Sequence, residues 1–337
     1  MPEHPLKPPV EPMEAKAVTR IPEGADWLYE PKWDGFRCIA FRNGDSVALQ
    51  SKAGQPLERY FPEIVEALKG LTAQHFVLDG ELAIDAGGHL DFDAMLQRIH
   101  PAASRIKKLS VETPAAYFVF DLLEEGAQAV YAFPLEQRRE RLEDFAETQF
   151  KKNRTIALSP ATRDLAKARE WLEGGMAWFD GVIAKRADAP YRFGERDAVV
   201  KIKRLYTADC VVGGFRLSPN GKSVASLLLG LYDDAGLLHL VGFVGSMSAA
   251  ERERAGSLLR PIVEEPGFTG AQPGGQSRWG SRDTEWHPVA PKIVVEVRFD
   301  HVTKRRFRHG ARFVRWRPDK APRQCTMEQL LRPRTLG

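Results

Sequence analysis

Glu30-Pro31-Lys32-Trp33-Asp34-Gly35-Phe36-Arg37 sets a lysine at the end of one apolar run and just before a glycine-containing turn. Upstream, Trp27-Leu28-Tyr29 reads as strand. Downstream, the runs Phe36 to Phe41 and Val47 to Leu49 flank Asn43-Gly44-Asp45. An Asn-Gly turn between two such runs predicts a β-hairpin. Lys32 therefore stands at a seam between strands, with Glu30 and Asp34 close by in sequence. A free lysine amine, with a pKa near about 10.4, is a poor nucleophile. Burial and neighbouring cations are expected to lower that value and expose a lone pair. Lys201 and Lys203 are suitable neighbours if the fold brings them close.

Four more segments end a hydrophobic strand in polar or charged residues. Leu78-Asp79-Gly80-Glu81 supplies carboxylates, and Phe118-Val119-Phe120-Asp121 supplies a ring and another acid. Asp180-Gly181-Val182-Ile183-Ala184-Lys185 carries an acid and a base at its two ends. In Val200-Lys201-Ile202-Lys203 the strand period of two puts both lysines on one face. Cations facing one way suit a phosphate. Carboxylates beside that phosphate suit Mg²⁺, which takes few protein carboxylates plus phosphate oxygens. An aromatic face suits a purine. Taken singly, each segment reads more readily as structural than as functional, and Phe120 alone reads as core.

Working outward, Pro62 to Lys69 reads as a short helix with Pro in its first turn and Gly70 after its end. Phe92 to Ile99, Leu135 to Phe145 and Arg163 to Leu172 also read as helices, and Tyr117 to Phe120 as an apolar strand. Hairpins dominate, so this region is expected to be α+β with antiparallel sheets. Past residue 206 the pattern changes. Cys210 to Phe215, Ser226 to Tyr232, Leu237 to Val244 and Ile293 to Phe299 read as strands, with one helix from Ser248 to Val263. That meander fits a small OB-type barrel. The expected division is an N-terminal arm (1–25), a first domain (26–205) and a barrel domain (206–337). The arm is expected to pack on, or lead into, the first domain.

The formal net charge of +4 is unevenly spread: residues 207–337 hold 20 Lys/Arg against 13 Asp/Glu, and residues 1–206 hold 29 against 32. A basic C-terminal third suits a polyanionic partner, although charge runs are often only solvated faces. Lys304-Arg305-Arg306-Phe307-Arg308 is a candidate phosphate contact or a solvated strand edge. The Gly/Pro-rich residues 266–280 read as a flexible loop that touches a polyanion or as a surface insertion. Cys38, Cys210 and Cys325 form no CxxC pattern and are expected to be small buried residues. No apolar run reaches the roughly 18–20 residues of a membrane span, and the Pro-rich start lacks a signal-peptide core, so a cytoplasmic protein is expected.

In order and spacing these segments resemble the nucleotidyltransferase motifs of ATP-dependent DNA ligases and mRNA capping enzymes. Lys32, Asp34, Gly35 and Arg37 meet KxDGxR. Ser51-Lys52-Ala53-Gly54 resembles the next motif, which often has Arg at the position of Lys52. The Asp79, Phe120, Asp180 and Lys201 segments follow, and Arg312 to Lys320 resembles the last motif. Glu11-Pro12-Met13, Tyr60-Phe61-Pro62, Gln97 to Pro101 and Thr207 to Val212 are similar to the LigC-type bacterial ligases, relatives of the LigD ligase module.

The resemblance implies that Lys32 takes AMP from ATP, assisted by Lys201, Lys203 and Asp34. It implies Glu30 on the adenine amino group, Phe120 stacked on adenine, and Arg37 and Glu81 on the ribose. Lys185, Arg315, Asp319 and Lys320 would also serve the nucleotide, the last two on closure of the barrel domain about a hinge near residues 203–206. Lys52 would contact a DNA 5′-phosphate. Glu81 and Asp180 would hold Mg²⁺, with Mn²⁺ as a substitute. The family usually has Glu where this chain has Asp180, one methylene shorter. Nicked duplex DNA is the implied partner, and a monomer in the bacterial cytoplasm at the nucleoid is expected. The alternatives are an RNA ligase or capping enzyme, and a nucleic-acid-binding protein without catalysis.

Overall fold

A computed structural model describes residues 6–85, 87–88, 90–151, 153–173, 179–274, 285–331 and the backbone of 334–335. The chain divides into two compact units between Lys203 and Arg204.

In the first unit the Asn43 turn closes a hairpin of β3 (Phe36–Asn43) and β4 (Ser46–Ser51). Gly44 sits at φ +60°, a conformation that glycine adopts without steric cost. The hairpin belongs to a six-stranded sheet ordered β4-β3-β5-β6-β7, with β8 on β6. Here β5 is His75–Ile84, β6 is Ala115–Glu125, β7 is Gln128–Ala129 and β8 is Ile156–Leu158. Four helices accompany it: α1 (Pro62–Lys69), α2 (Phe92–Arg98), α3 (Ala103–Glu112) and α4 (Leu135–Gln149). Pro62 opens α1, as expected, and Ile64 and Leu68 are its buried side chains. The main core lies on this sheet and includes Leu78, Tyr117, Leu142 and Phe145.

A second sheet has the order β1-β10-β9-β2, from β1 (Lys16–Ala17), β2 (Trp27–Pro31), β9 (Gly181–Arg186) and β10 (Val199–Lys203). The helix α5 (Leu165–Glu173) packs on it through Ala168 and Trp171. The sheets are antiparallel apart from two pairings, β1 with β10 and β6 with β8. The arm is part of the unit. Met13 is buried, its N–H donates to the Tyr191 hydroxyl at 3.0 Å, and Val10 exchanges hydrogen bonds with the Gln50 side chain.

The second unit is built on β11 (Tyr206–Leu217), β12 (Val224–Tyr232), β13 (Leu238–Ser246), β15 (Val294–Phe299) and β18 (Ala311–Trp316). Long β11 pairs with both β12 and β15, so the order β11-β12-β13-β18-β15 closes into a five-stranded barrel. Closure removes the sheet edges. The short strands β14 (His287–Pro288) and β19 (Arg334–Thr335) also pair with β11. Outside the barrel, β16 (Val302–Thr303) and β17 (Arg306–Phe307) form a small hairpin, and α7 (Glu328–Leu331) ends the described part.

The helix expected from Ser248 to Val263 is α6 (Ala249–Leu259), continued by a 3₁₀ turn at Arg260–Ile262. The imide Pro261 lacks the N–H that an α-helix would use there. Ser248 caps α6, and Glu251 completes the capping box. All three cysteines are free and buried. Among the described residues no helix is long and apolar enough to cross a membrane.

Candidate active site

Lys32 follows directly on β2, and the β2–β9 ladder runs past it. Its N–H donates to the Gly181 carbonyl at 2.9 Å, and the Asp180 N–H donates to the Lys32 carbonyl at 2.8 Å. These bonds bring the two side chains together: Lys32 Nζ donates to Asp180 Oδ2 at 2.8 Å. Lys203, opposite Gly181 in the next ladder, has its Nζ 4.0 Å from the same oxygen. Two motif glycines make this approach feasible. A Cβ on Gly181 (φ +148°) would lie 2.0 Å from the Ile202 carbonyl oxygen, and one on Gly35 would lie 1.9 Å from that of Leu82.

The expectation of a lowered Lys32 pKa is corrected. Burial does pull the amine down, but Asp180, then Glu81 and Asp34, pull it further up, so it stays above the usual lysine value. The dominant partner of this amine is an anion, so the ligand-free protein holds an ammonium. Lys201 has the lowered value: desolvation pushes it down, as do the charges of Lys52, Lys32 and Lys203, against Glu14. The four lysines therefore share one electrostatic neighbourhood. Burial pushes the Glu81 carboxyl up to about 7, with Lys32 and Arg37 opposing and Asp34 and Asp79 adding to the rise.

Around Phe120 the two sheets meet. The β5–β6 register passes from Gly80↔Val119 to Asp79↔Asp121, so Phe120 is the extra residue of a β-bulge. Bulges re-aim side chains. Its ring lies 4.8 Å from the Arg37 guanidinium carbon and 4.5 Å from Lys185 Nζ. Lys185 in turn binds both carboxylate oxygens of buried Glu30, at 2.9 and 2.8 Å. Arg37, opposite Glu81 in the β3–β5 ladder, forks onto Asp79 at 2.6 and 2.5 Å. Asp79 also accepts from the Tyr191 hydroxyl at 2.6 Å. Asp121 serves the framework rather than a phosphate: Arg138 binds both of its oxygens at 2.8 and 2.9 Å, and the pair is buried.

Two neighbours of these segments, Trp33 and Glu14, were not singled out from the sequence. Trp33 stacks on Phe118 at 3.8 Å between centroids and meets Phe179 edge-on at 5.1 Å. Both contacts adjoin the segments of Lys32 and Asp180. The side chain of Lys52, on the turn after β4, pairs with Glu14 of the arm at 2.8 Å. Position 33 lies inside the quoted motif and could have been singled out; nothing in the arm's composition marks Glu14.

In the second unit, Arg315 pairs with Glu296 at 2.6 Å. Asp319 pairs with Arg317 at 2.8 Å, and Arg317 holds its carboxyl down at about 2. Arg317 also reaches Asp209 at 2.7 Å, with Lys320 at 3.9 Å from the same carboxylate. The next row across the barrel wall differs. Thr207, Arg298, Arg312 and Ser246 lie side by side on β11, β15, β18 and β13, with no carboxylate in the row. Arg298 Nε is buried without a hydrogen-bond partner. The basic stretch lies between these arginines in sequence, with Lys304 and Arg305 at φ +49° and +61° in the turn between β16 and β17. Residues 275–280 of the 266–280 loop lie outside the described residues.

Among the described residues no three His, Cys, Asp or Glu side chains are grouped to hold a metal. Glu81 and Asp180 nevertheless both act on the Lys32 amine. Mg²⁺ asks a protein for only one or two carboxylates when phosphate oxygens complete its shell. This donor set fits it.

Two family models match the chain: the ATP dependent DNA ligase domain over residues 12–203, and the ATP dependent DNA ligase C terminal region over 220–320. DNA ligase C1 of Mycolicibacterium smegmatis is 44% identical over 343 residues, covering 98% of this chain and 96% of that protein. The multifunctional end-joining protein LigD of Mycobacterium tuberculosis is 30% identical over 313 residues, 91% of this chain and 38% of LigD. A solved Lig E DNA ligase shares the fold, with a TM-score of 0.55 at 18% identity over 90% of this chain and 100% of that one.

Proposed function

Because the chain belongs to the ATP-dependent DNA ligases, we propose that it seals 5′-phosphate/3′-hydroxyl nicks in duplex DNA through AMP carried on Lys32. The Lys32 ammonium first loses a proton to solvent, and the neutral Nζ then attacks the α-phosphorus of ATP. An N–P bond forms, the bond to the β-phosphate oxygen breaks, and pyrophosphate leaves. The AMP then passes to the 5′-phosphate at the nick and frees the amine. The 3′-hydroxyl attacks that phosphate, closing the strand and releasing AMP.

The observation that carries this reading is the meeting at one amine of groups distant in sequence. Asp180 bonds Lys32 across 148 residues, and Glu81, Lys201 and Lys203 belong to the same shell. Lys201 and Lys203 stabilise negative charge growing on the α-phosphate, in a site where such cations are worth more than in water. Phe120 stacks on adenine. Glu30, held by Lys185, takes the adenine amino group, and Arg37 and Glu81 take the ribose. Asp34 assists at the amine. Lys52 contacts the 5′-phosphate. Arg315, Asp319 and Lys320 serve the adenylation step. Glu81 and Asp180 would hold Mg²⁺, which would neutralise charge on the phosphates; Mn²⁺ would be a substitute.

The Arg298–Arg312 row and the β16–β17 hairpin contact the duplex backbone, where guanidinium groups suit phosphate. The protein acts as a monomer in DNA repair, in the bacterial cytoplasm.

The test is the joining of a labelled nicked duplex. ATP should support joining, whereas NAD⁺ and GTP should not, and nicked RNA should be a poorer substrate. Joining that requires NAD⁺ or GTP, or nicked RNA sealed in preference to DNA, would overturn the proposal.

A further inference from the structure

Glu14 lies in the arm, two residues before β1. Its N–H donates to the Glu195 carbonyl at 2.8 Å. One carboxylate oxygen accepts from Lys52 Nζ at 2.8 Å, and the other is bound by Arg196. Lys52 pulls this carboxyl below its ordinary range, against burial and with help from Arg196. Three residues further on, Ala17 pairs with Lys201 in the β1–β10 ladder. Among the charges that act on the Lys201 amine, Glu14 opposes Lys52, Lys32 and Lys203. A single carboxylate thus stands among Lys52, Arg196 and Lys201, beside the lysines of the candidate site.

We infer that Glu14 is a resident anion holding a position that substrate phosphate oxygens take, and that its carboxylate must leave Lys52 before a phosphate binds there. The inference rests on reading Lys52 and its neighbouring lysines as phosphate-binding. Carboxylate and phosphate present the same oxygens to an ammonium and a guanidinium. A phosphate monoester carries close to two charges against one, so it displaces the carboxylate. The contact is not what holds the arm. Met13 on Tyr191, Val10 on Gln50 and the β1–β10 pairing remain when it opens. Two phosphates share the required chemistry: the 5′-phosphate of the nick, and the β- and γ-phosphates of ATP.

The test compares Glu14→Gln, and Glu14→Ala beside it, with the natural chain. Binding is measured for inorganic pyrophosphate and for nicked duplexes bearing a 5′-phosphate or a 5′-hydroxyl. The KM for ATP in formation of the covalent adenylate is measured as well. Each exposed ion pair is worth a factor of roughly 1.4 to 5, so with two such pairs both variants should gain about 2- to 25-fold for phosphate ligands. The gain should shrink with added salt, and the 5′-hydroxyl nick should bind unchanged. A gain confined to the phosphorylated nick assigns the position to DNA; a lower KM for ATP assigns it to the nucleotide. Unchanged or weaker phosphate binding in both variants overturns the inference. Pyrophosphate binding needs no turnover, so this result stands apart from whether Lys32 becomes adenylated.

Discussion

At Lys32 the amine stays protonated, because burial pulls its pKa down but Asp180, with Glu81 and Asp34, together pull it up by more. Asp180→Asn removes the anion and keeps the shape. The pH midpoint for single-turnover formation of the covalent adenylate should then shift to lower pH; an unchanged midpoint would remove Asp180 from the account. Glu81 titrates the other way from most carboxylates. Its folded pKa of about 7 lies above the ordinary glutamate value of 4.5, so between these values the folded state holds a proton that the unfolded state has lost. Its contribution to stability is full below about 4.5 and fades as pH rises through about 7. Denaturant titrations of the nucleotide-free protein at pH 5 and pH 7.5 should show a smaller difference for Glu81→Gln than for the natural chain; an equal difference would contradict the assignment. Residue types and motif spacing were legible in the sequence. The sign of the Lys32 shift was not, because it depends on which of two oppositely charged neighbours lies at 2.8 Å.

At the level of elements, the hairpin at Asn43, the helix from Pro62 and the cap at Ser248 were legible because each rests on local chemistry: a turn, a proline, a hydroxyl. The bulge at Phe120 was not, since it arises from the register of β6 on β5. Nor was the placing of Asp121, which lies next to Phe120 in sequence yet is locked to Arg138 from α4. That pair should be structural in its effect. Breaking a buried pair from one side leaves an uncompensated charge, at a cost of about 3–5 kcal/mol. Arg138→Leu should therefore lower the urea midpoint strongly. A change of less than about 1 kcal/mol, the usual scale of exposed pairs, would contradict the burial assigned here.

For the molecule as a whole, the apolar clusters divide as the chain does. One is made of residues from Tyr206 onward, and the other three of residues up to Ile202. The fragment 1–203 should accordingly fold alone, with a cooperative thermal transition and native-like near-ultraviolet dichroism; a fragment without such a transition would contradict separate cores. A change of pattern near residue 206 was legible in the sequence, and the chain divides between Lys203 and Arg204. Closure of the barrel was less so, since it depends on β11 being long enough to pair on both sides.

The central claim is that one amine carries the nucleotide. The direct measurement is peptide mass spectrometry after incubation with α-labelled ATP and Mg²⁺. The account predicts a single adenylate on Lys32, discharged by adding nicked duplex and absent from Lys32→Ala. Adenylate on another side chain, or persistent labelling of Lys32→Ala, would contradict it.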